Sequence, residues 1–200
     1  MKDFESKIKK NDSVLDIGCW SGKRVLELSK RTKKAYGVDI DPSKIKLADS
    51  GIGKNLRVGD VTKKIPFKIK FDWVILSEVL EHIEDDLKAL RNISNSLKKG
   101  GKLILSTPKS IKYLEFWDPA WVRWKFGGEM HHHYSKEELF LKINQSGLKV
   151  KECYVRGNLK WVIYRWLNVF LKYLVKSKKQ LNNPMEKGFC DWAILAEKVK

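Results

Sequence analysis

Three cysteines in 200 residues, Cys19, Cys153 and Cys190, are odd in number and far apart, and no CxxC pair or Cys/His ligand spacing accompanies them. A disulfide framework is excluded, and a reduced, cytoplasmic chain is the simpler expectation. No apolar segment interrupts the charges of the first dozen residues, so no secretory signal is expected. A mean hydropathy of −0.42 excludes a polytopic membrane protein. There is no repeat and no low-complexity tract, and with 42% hydrophobic residues the chain is not disordered. Of the charged residues the acidic ones are scarce: 24 Asp+Glu face 41 Lys+Arg, giving a net charge of +17 and a pI near 9.7. That imbalance admits an anionic partner such as nucleic acid, an acidic lipid headgroup or a charged metabolite, alongside a merely solvated lysine-rich surface.

What is present alternates. Short apolar runs at 14–18, 35–41, 55–60, 71–77 and 102–108 read as strands, separated by stretches at helical spacing. Pro42 opens one helix, and another is expected from Val79 to Lys98, stopped by Gly100-Gly101. Ser135 and Glu138 form a capping box ahead of a helix to 147, and residues 148–155 and 189–199 read as two last strands. Strands buried on both faces imply an α/β fold, a mostly parallel seven-stranded sheet with helices on each side. One domain over 1–200 is expected, with a long loop at 109–134 and an insertion at 157–188 between the last two strands.

In such a sheet, ligands bind beyond the carboxyl ends of the strands. The loop Asp16-Ile-Gly-Cys-Trp-Ser-Gly22 lies there, its glycines allowing close backbone approach ahead of a helix N-terminus. Asp39, ending the second strand, can accept from both ribose hydroxyls of a nucleoside. VLDIGCWSGK, GVDID, Gly59-Asp60, FDWVILSEVLEHIED and GGKLILSTP, in that order, resemble the successive motifs of class I S-adenosylmethionine-dependent methyltransferases, whose fold is Rossmann-like. The resemblance implies that S-adenosylmethionine is the cofactor. Asp16, Gly18 and Gly22 would shape its methionine end, Asp39 would hold the ribose with Ile40 against the adenine, and Asp60 would accept from the adenine amino group beside Val61. Ser77 would line the methionine moiety. Trp20 stands where the family commonly has glycine, so the loop must keep φ negative or accept strain. Its indole covers the cofactor, points into the substrate cleft or packs on the first helix.

Methyl transfer to a hydroxyl needs a base. All four histidines fall in two places, His82 and the run His131, His132, His133, and we take His82, His131 and His133 as the catalytic candidates. Neighbours on an extended chain alternate faces, so one or two of the run face the site. On the expected helix, Glu78, Glu81 and His82 share one face and, with a distant histidine, form a mixed O and N site for a divalent metal such as Mg. The alternative is that Glu81 caps or pairs while His82 closes the cofactor pocket. The E-x-x-E-H segment is similar to that of small-RNA 3′-terminal ribose methyltransferases and of ubiquinone-biosynthesis O-methyltransferases.

From Tyr113 to Phe126, six aromatics in fourteen residues interleave with Arg123 and Lys125, enough to stack an acceptor through Trp117, Trp121 or Trp124 or to form a satellite core. Residues 159–179 read as a helix with a narrow polar stripe of Lys160, Tyr164, Arg165, Asn168, Lys172 and Lys176. Seven Lys/Arg against one Glu between 157 and 188 give this segment +6, which fits an interfacial helix on an anionic membrane; its broad apolar face could equally pack on the sheet or a second subunit. The expected activity is O-methylation of a small or lipid-linked acceptor. An RNA ribose 2′-O-methyltransferase and a non-catalytic S-adenosylmethionine-binding accessory protein at a membrane are the alternatives, RNA being the less favoured partner.

Overall fold

Apolar residues without a helical period dictate the centre of the molecule. In the computed structural model, which describes residues 1–48, 51–112, 114–176, 181 and 185–199, Val14–Ile17 forms β1, buried on both faces. The other elements, in chain order, are helix α1 (Lys2–Glu5) ahead of β1, then α2 (Lys23–Ser29), β2 (Ala35–Asp39), α3 (Pro42–Ile45), β3 (Leu56–Val58) and β4 (Phe71–Ser77). There follow α4 (Asp86–Ser96), β5 (Leu97–Pro108), α5 (Pro119–Lys125), α6 (Lys136–Gln145), β6 (Leu148–Arg156), α7 (Leu159–Tyr173) and β7 (Asp191–Lys198). The seven strands take the order β3-β2-β1-β4-β5-β7-β6. All neighbours are parallel except β7, which runs antiparallel to both β5 and β6.

Two apolar layers cover the sheet. On one face Leu90 and Ile93 of α4 and Leu139 and Ile143 of α6 pack with Leu76 and Leu105. On the other, Phe4 of α1 and Val25 and Leu28 of α2 pack with Ile75 and Ile104. Local signals hold where they were chemically strong. Asp41 caps α3 ahead of Pro42, and the Ser135 side chain accepts from the Glu138 amide at 3.1 Å.

The helix expected from Val79 to Lys98 is instead two pieces. A single 3₁₀ turn, Leu80–His82, precedes α4, whose start is fixed by the Asp85 cap. Leu97 already belongs to β5, opposite Phe71, so Gly100-Gly101 lies inside the strand and does not end the helix. The break matters because Glu78, Glu81 and His82 no longer share a helical face. Likewise α7 ends at Tyr173. Tyr113 of the aromatic loop, and Lys178 and Lys179 of the basic segment, lie outside the described residues.

The strand order reverses between β1 and β4, which opens a crevice beyond their carboxyl ends. Among the described residues, two of the three non-glycine residues with left-handed φ stand there, Trp20 after β1 (φ 54°) and Glu78 after β4 (φ 55°). Each such residue costs roughly 1–3 kcal/mol and persists where surrounding structure enforces it, as it commonly does at functional sites.

Candidate active site

The cofactor-side candidates gather along one edge of the sheet. Gly18 adopts φ +69°, and a Cβ there would sit 2.4 Å from Val79 Cγ2. Gly22, φ 80°, is the N-cap of α2. Asp39 braces the loop: its Oδ2 accepts from the Trp20 amide at 2.8 Å and its Oδ1 from the Asp41 amide at 2.9 Å. Each oxygen keeps a lone pair. Trp20 does not keep φ negative, and its exposed indole lies under the Lys44 ammonium, 4.7 Å from the ring centre, so it is not buried against α2. Ile40 is exposed beside Asp39. Asp16 is buried with Arg24 Nη1 at 3.1 Å; burial pushes its carboxyl up to about 6 against the opposing Arg24 charge.

Beyond β3, the Thr62 hydroxyl donates to Asp60 at 2.7 Å and, chiefly through that bond, holds the carboxyl below its usual range. Val61 is buried in the core, its carbonyl accepting from Asn92 at 2.8 Å. Ser77, at the tip of β4, shares a 3.0 Å hydrogen bond with Ser106.

On the other side of the crevice the expected metal set divides: Glu78 leaves it, while Glu81 and His82 stay together. Glu78 turns toward β5 and β6, accepting from the Ser106 hydroxyl at 2.6 Å and from Arg156 Nη2 at 2.8 Å. Glu81 is fully buried; Thr107 donates to its Oε2 at 3.2 Å, while Oε1 has no hydrogen-bond partner. Burial, reinforced by the Glu78 charge, pushes the Glu81 carboxyl well up. His82 approaches the Met130 carbonyl with Nδ1 at 2.7 Å. A carbonyl only accepts, so Nδ1 carries the proton and Nε2 keeps its lone pair, 3.9 Å from Glu81 Oε1. Burial lowers the His82 pKa and keeps the imidazole neutral.

His131 and His133 face inward and His132 outward, as alternation requires. The buried His131 ring lies 4.9 Å from that of His82. Its Nε2 meets Asp118 Oδ2 at 2.8 Å, and its Nδ1 has no partner. One donor atom from each of Glu81, His82 and His131 falls within 4.8 Å of the others, so His131, and not Glu78, completes that cluster; Asp118, His131 and His133 form a second group equally close. Chemically the first set suits a divalent ion: a buried carboxylate oxygen and a buried imidazole nitrogen that nothing else satisfies, with a neutral imidazole beside them. His133 differs: Glu115 engages its Nδ1 and Asp118 its Nε2, leaving no free lone pair. It stacks on Trp117 at 5.1 Å. His132 pairs with Glu138 at 3.0 Å.

Sequence reasoning missed five residues of this site: Glu115, Asp118, Arg156, Arg165 and Asp191. Asp118 was legible as a helix cap, since a carboxylate before Pro119 is a start signal, and it does accept from the Ala120 amide at 2.9 Å. Burial pushes its carboxyl up, but the His131 and His133 hydrogen bonds and the Arg165 charge outweigh that and hold it well below the usual range. Arg165, assigned to the polar stripe of α7, turns inward to Asp118. Asp191 is buried at the start of β7 with neither oxygen hydrogen-bonded, Arg156 Nη2 standing 3.9 Å away. No local pattern announces either contact.

A family model described as a methyltransferase domain matches residues 2–152. The chain is 30% identical over 148 residues to a ubiquinone biosynthesis O-methyltransferase of Ruegeria sp., covering 68% of this chain and 59% of that protein. It is 33% identical over 100 residues to the protein of the same name from Xanthomonas axonopodis pv. citri, covering 47% and 42% respectively. The chain thus spans about half the length of the curated relatives it matches. Among solved structures, a SAM-dependent methyltransferase from Methanosarcina mazei superposes with a TM-score of 0.68 at 17% identity, over 100% of this chain and 98% of that one. Magnesium protoporphyrin IX methyltransferase from Synechocystis, with bound SAH, gives 0.63 at 15% identity over 98% and 78%. These similarities establish the Rossmann-like fold. Since the family model runs from α1 into β6 and takes in the glycine loop, Asp39 and the β4 tip alike, the chain belongs to the class I S-adenosylmethionine-dependent methyltransferases.

Proposed function

We propose that this protein transfers a methyl group from S-adenosylmethionine to a hydroxyl oxygen of a small or lipid-linked acceptor. The observation that carries the choice of oxygen is the convergence of Glu81, His82 and His131 within 4.8 Å, where Glu81 Oε1 and His131 Nδ1 are buried without partners. Two curated relatives named as O-methyltransferases support it. The cofactor's ribose lies on Asp39 with Ile40 against the adenine, Asp60 takes the adenine amino group beside Val61, and Asp16, Gly18, Gly22 and Ser77 surround the methionine end. Trp20 covers the open side.

In the reaction the acceptor oxygen attacks the methyl carbon as the carbon–sulfur bond breaks, giving S-adenosylhomocysteine. The hydroxyl proton must leave as the oxygen attacks. His131 Nδ1 takes it, with Glu81 and the neutral His82 beside it, and His133 braces the ring pair through Asp118. Alternatively, Glu81, His82 and His131 would hold a divalent cation, His131 then giving its Nδ1 lone pair to the ion and not to the proton; when bound, the cation would acidify the acceptor hydroxyl.

What makes an RNA acceptor less favoured despite the net charge is where the charge lies. At the acceptor site Arg156 is engaged by Glu78 and Arg165 by Asp118, so neither arginine is free for a phosphate. The basic excess lies elsewhere, in part in the 157–188 segment that contains α7. Of that helix only Val162 is buried, while Leu159, Ile163, Trp166, Leu167 and Phe170 lie exposed along one face. No helix among the described residues is long and apolar enough to cross a membrane. We assign this face to the surface of an anionic membrane, which would supply a lipid-linked acceptor.

Calorimetric titration with S-adenosylmethionine tests the premise: heat is expected from the intact chain and none from Asp39→Ala. A screen with methyl-labelled cofactor over quinols, lipid-linked sugars and short RNAs then tests the acceptor. Label in RNA alone overturns the proposed acceptor class, and cofactor binding with no labelled product at all favours an accessory protein.

A further inference from the structure

The histidine pair is held by a residue that belongs to neither histidine segment, which is itself held by a helix from the insertion. Asp118 Oδ2 meets His131 Nε2 at 2.8 Å and His133 Nε2 at 3.3 Å, while Asp118 Oδ1 meets Arg165 Nη2. The carboxylate is entirely buried. Paired with a guanidinium, it is an acceptor only, so both Nε2 atoms must donate to it. His131 then has its one ring proton on Nε2 and its lone pair on Nδ1, the atom that has no partner.

Rotating the ring would break the Asp118 bond, and moving the proton to Nδ1 would leave two buried acceptors face to face. Such a penalty for an unsatisfied buried group is what fixes a tautomer. Around Arg165 the packing is equally specific. Its guanidinium lies 4.7 Å from the Trp161 ring centre and 6.0 Å from that of Trp117, and Trp117 stacks on His133. Trp117, Val162 and Cys190 form a small separate core under this arrangement. The Arg165–Asp118 ion pair and the packing of Trp117 against Trp161 and Arg165 thus tie α7 to the floor of the acceptor site.

We propose that Asp118 and Arg165 are positioning residues: Asp118 fixes the Nε2–H tautomer of His131 so that Nδ1 is free to receive the acceptor's proton, and Arg165 holds Asp118 in that role from α7. The purpose assigned to the free Nδ1 rests on the methyltransferase reading above, whereas the tautomer itself does not. It follows that α7 does more than offer a surface. A displacement of α7 that withdraws Arg165 frees Asp118 to turn, and the His131 proton is no longer confined to one nitrogen.

The test uses the full chain with ¹⁵N-labelled histidine, in long-range ¹H–¹⁵N spectra of the ring nitrogens assigned with His131→Gln. The intact chain should show His131 protonated at Nε2 and bare at Nδ1. Asp118→Asn should turn this into a mixture of tautomers, as should Arg165→Met, which leaves the buried carboxylate in place should the asparagine variant fail to fold. Arg165→Lys, which keeps the charge, should restore the single tautomer. Throughout, S-adenosylmethionine affinity should stay within about 2-fold of the intact chain, because no residue altered lies on the cofactor side. An unchanged His131 tautomer in both Asp118→Asn and Arg165→Met overturns the proposal. A tautomer that shifts as expected in a protein that methylates nothing upholds the positioning and defeats the proposed function instead, so the two failures are distinct.

Discussion

The two sides of the crevice are built by different means. On the cofactor side, the shape comes from backbone: Gly18 and Gly22 at positive φ, and amides of Trp20 and Asp41 converging on Asp39. Its contacts join residues near in sequence or on adjacent parallel strands. On the acceptor side, the shape comes from charged side chains reaching across the fold, Arg156 to Glu78, Arg165 to Asp118 and His131 to Asp118. One side is insensitive to side-chain chemistry at many positions but intolerant of added atoms; the other depends on complementary charges buried away from water.

That contrast is broken most directly at Gly18. Gly18→Val adds a β-branched side chain at φ +69° and puts a Cβ 2.4 Å from Val79 Cγ2. Strain and overpacking each add about 1–3 kcal/mol, so a loss of roughly 2–6 kcal/mol in denaturant unfolding is expected, together with loss of calorimetric S-adenosylmethionine binding. A variant that unfolds and binds like the parent would mean that side chains shape the cofactor side too.

The same difference decides what could be read from the sequence. Strand–glycine loop–helix–Asp39 is a local pattern whose geometry follows from residue type, so the loop after β1, the carboxylate ending β2 and all seven strands were legible. The Val79–Lys98 helix was misread because Leu80, Ile83, Leu87, Leu90, Ile93 and Leu97 keep a helical period across a 3₁₀ turn and into β5; periodicity cannot see the Asp85 cap that restarts the helix. Arg165 was misread for a related reason. Its place on α7 fits a solvent-facing stripe, and only the position of Asp118, 47 residues earlier, draws it inward. Glu78 likewise answers to Arg156, 78 residues on.

Asp16 sharpens the comparison because it is a carboxylate buried even more deeply than Asp39 on the backbone-built side. Its folded pKa, about 6, lies above the unfolded value. The folded state therefore holds the proton more tightly, so this group favours folding at low pH and that contribution is lost as pH rises from about 4 to 6. The loss amounts to about 3 kcal/mol, at roughly 1.4 kcal/mol per pH unit. Asp16→Asn stays neutral and escapes it, so its stability relative to the parent should climb between pH 4 and 6 and level off above. A difference that is flat across that window would show Asp16 to be ionised throughout, with Arg24 as an effective partner.

The smallest effect on stability is expected on α7, where the acceptor side meets solvent. Trp166 and Phe170 are among its exposed apolar residues, so replacing both with Gln should change unfolding free energy by no more than about 0.5 kcal/mol at each position. Binding to vesicles is another matter, because burying two aromatic side chains among lipid tails is worth on the order of 2 kcal/mol each. The parent chain should sediment with phosphatidylglycerol-containing vesicles, less so as salt is raised, and not with phosphatidylcholine alone; the double variant should remain in the supernatant. Equal sedimentation of both proteins would assign the attraction to lysines alone, and no sedimentation of the parent would remove the membrane from the proposal. If the expected result holds, the face contributes almost nothing to the fold, while the inward face of the same helix, through Arg165, orders the histidines. One helix would then carry a membrane contact on one side and an active-site brace on the other.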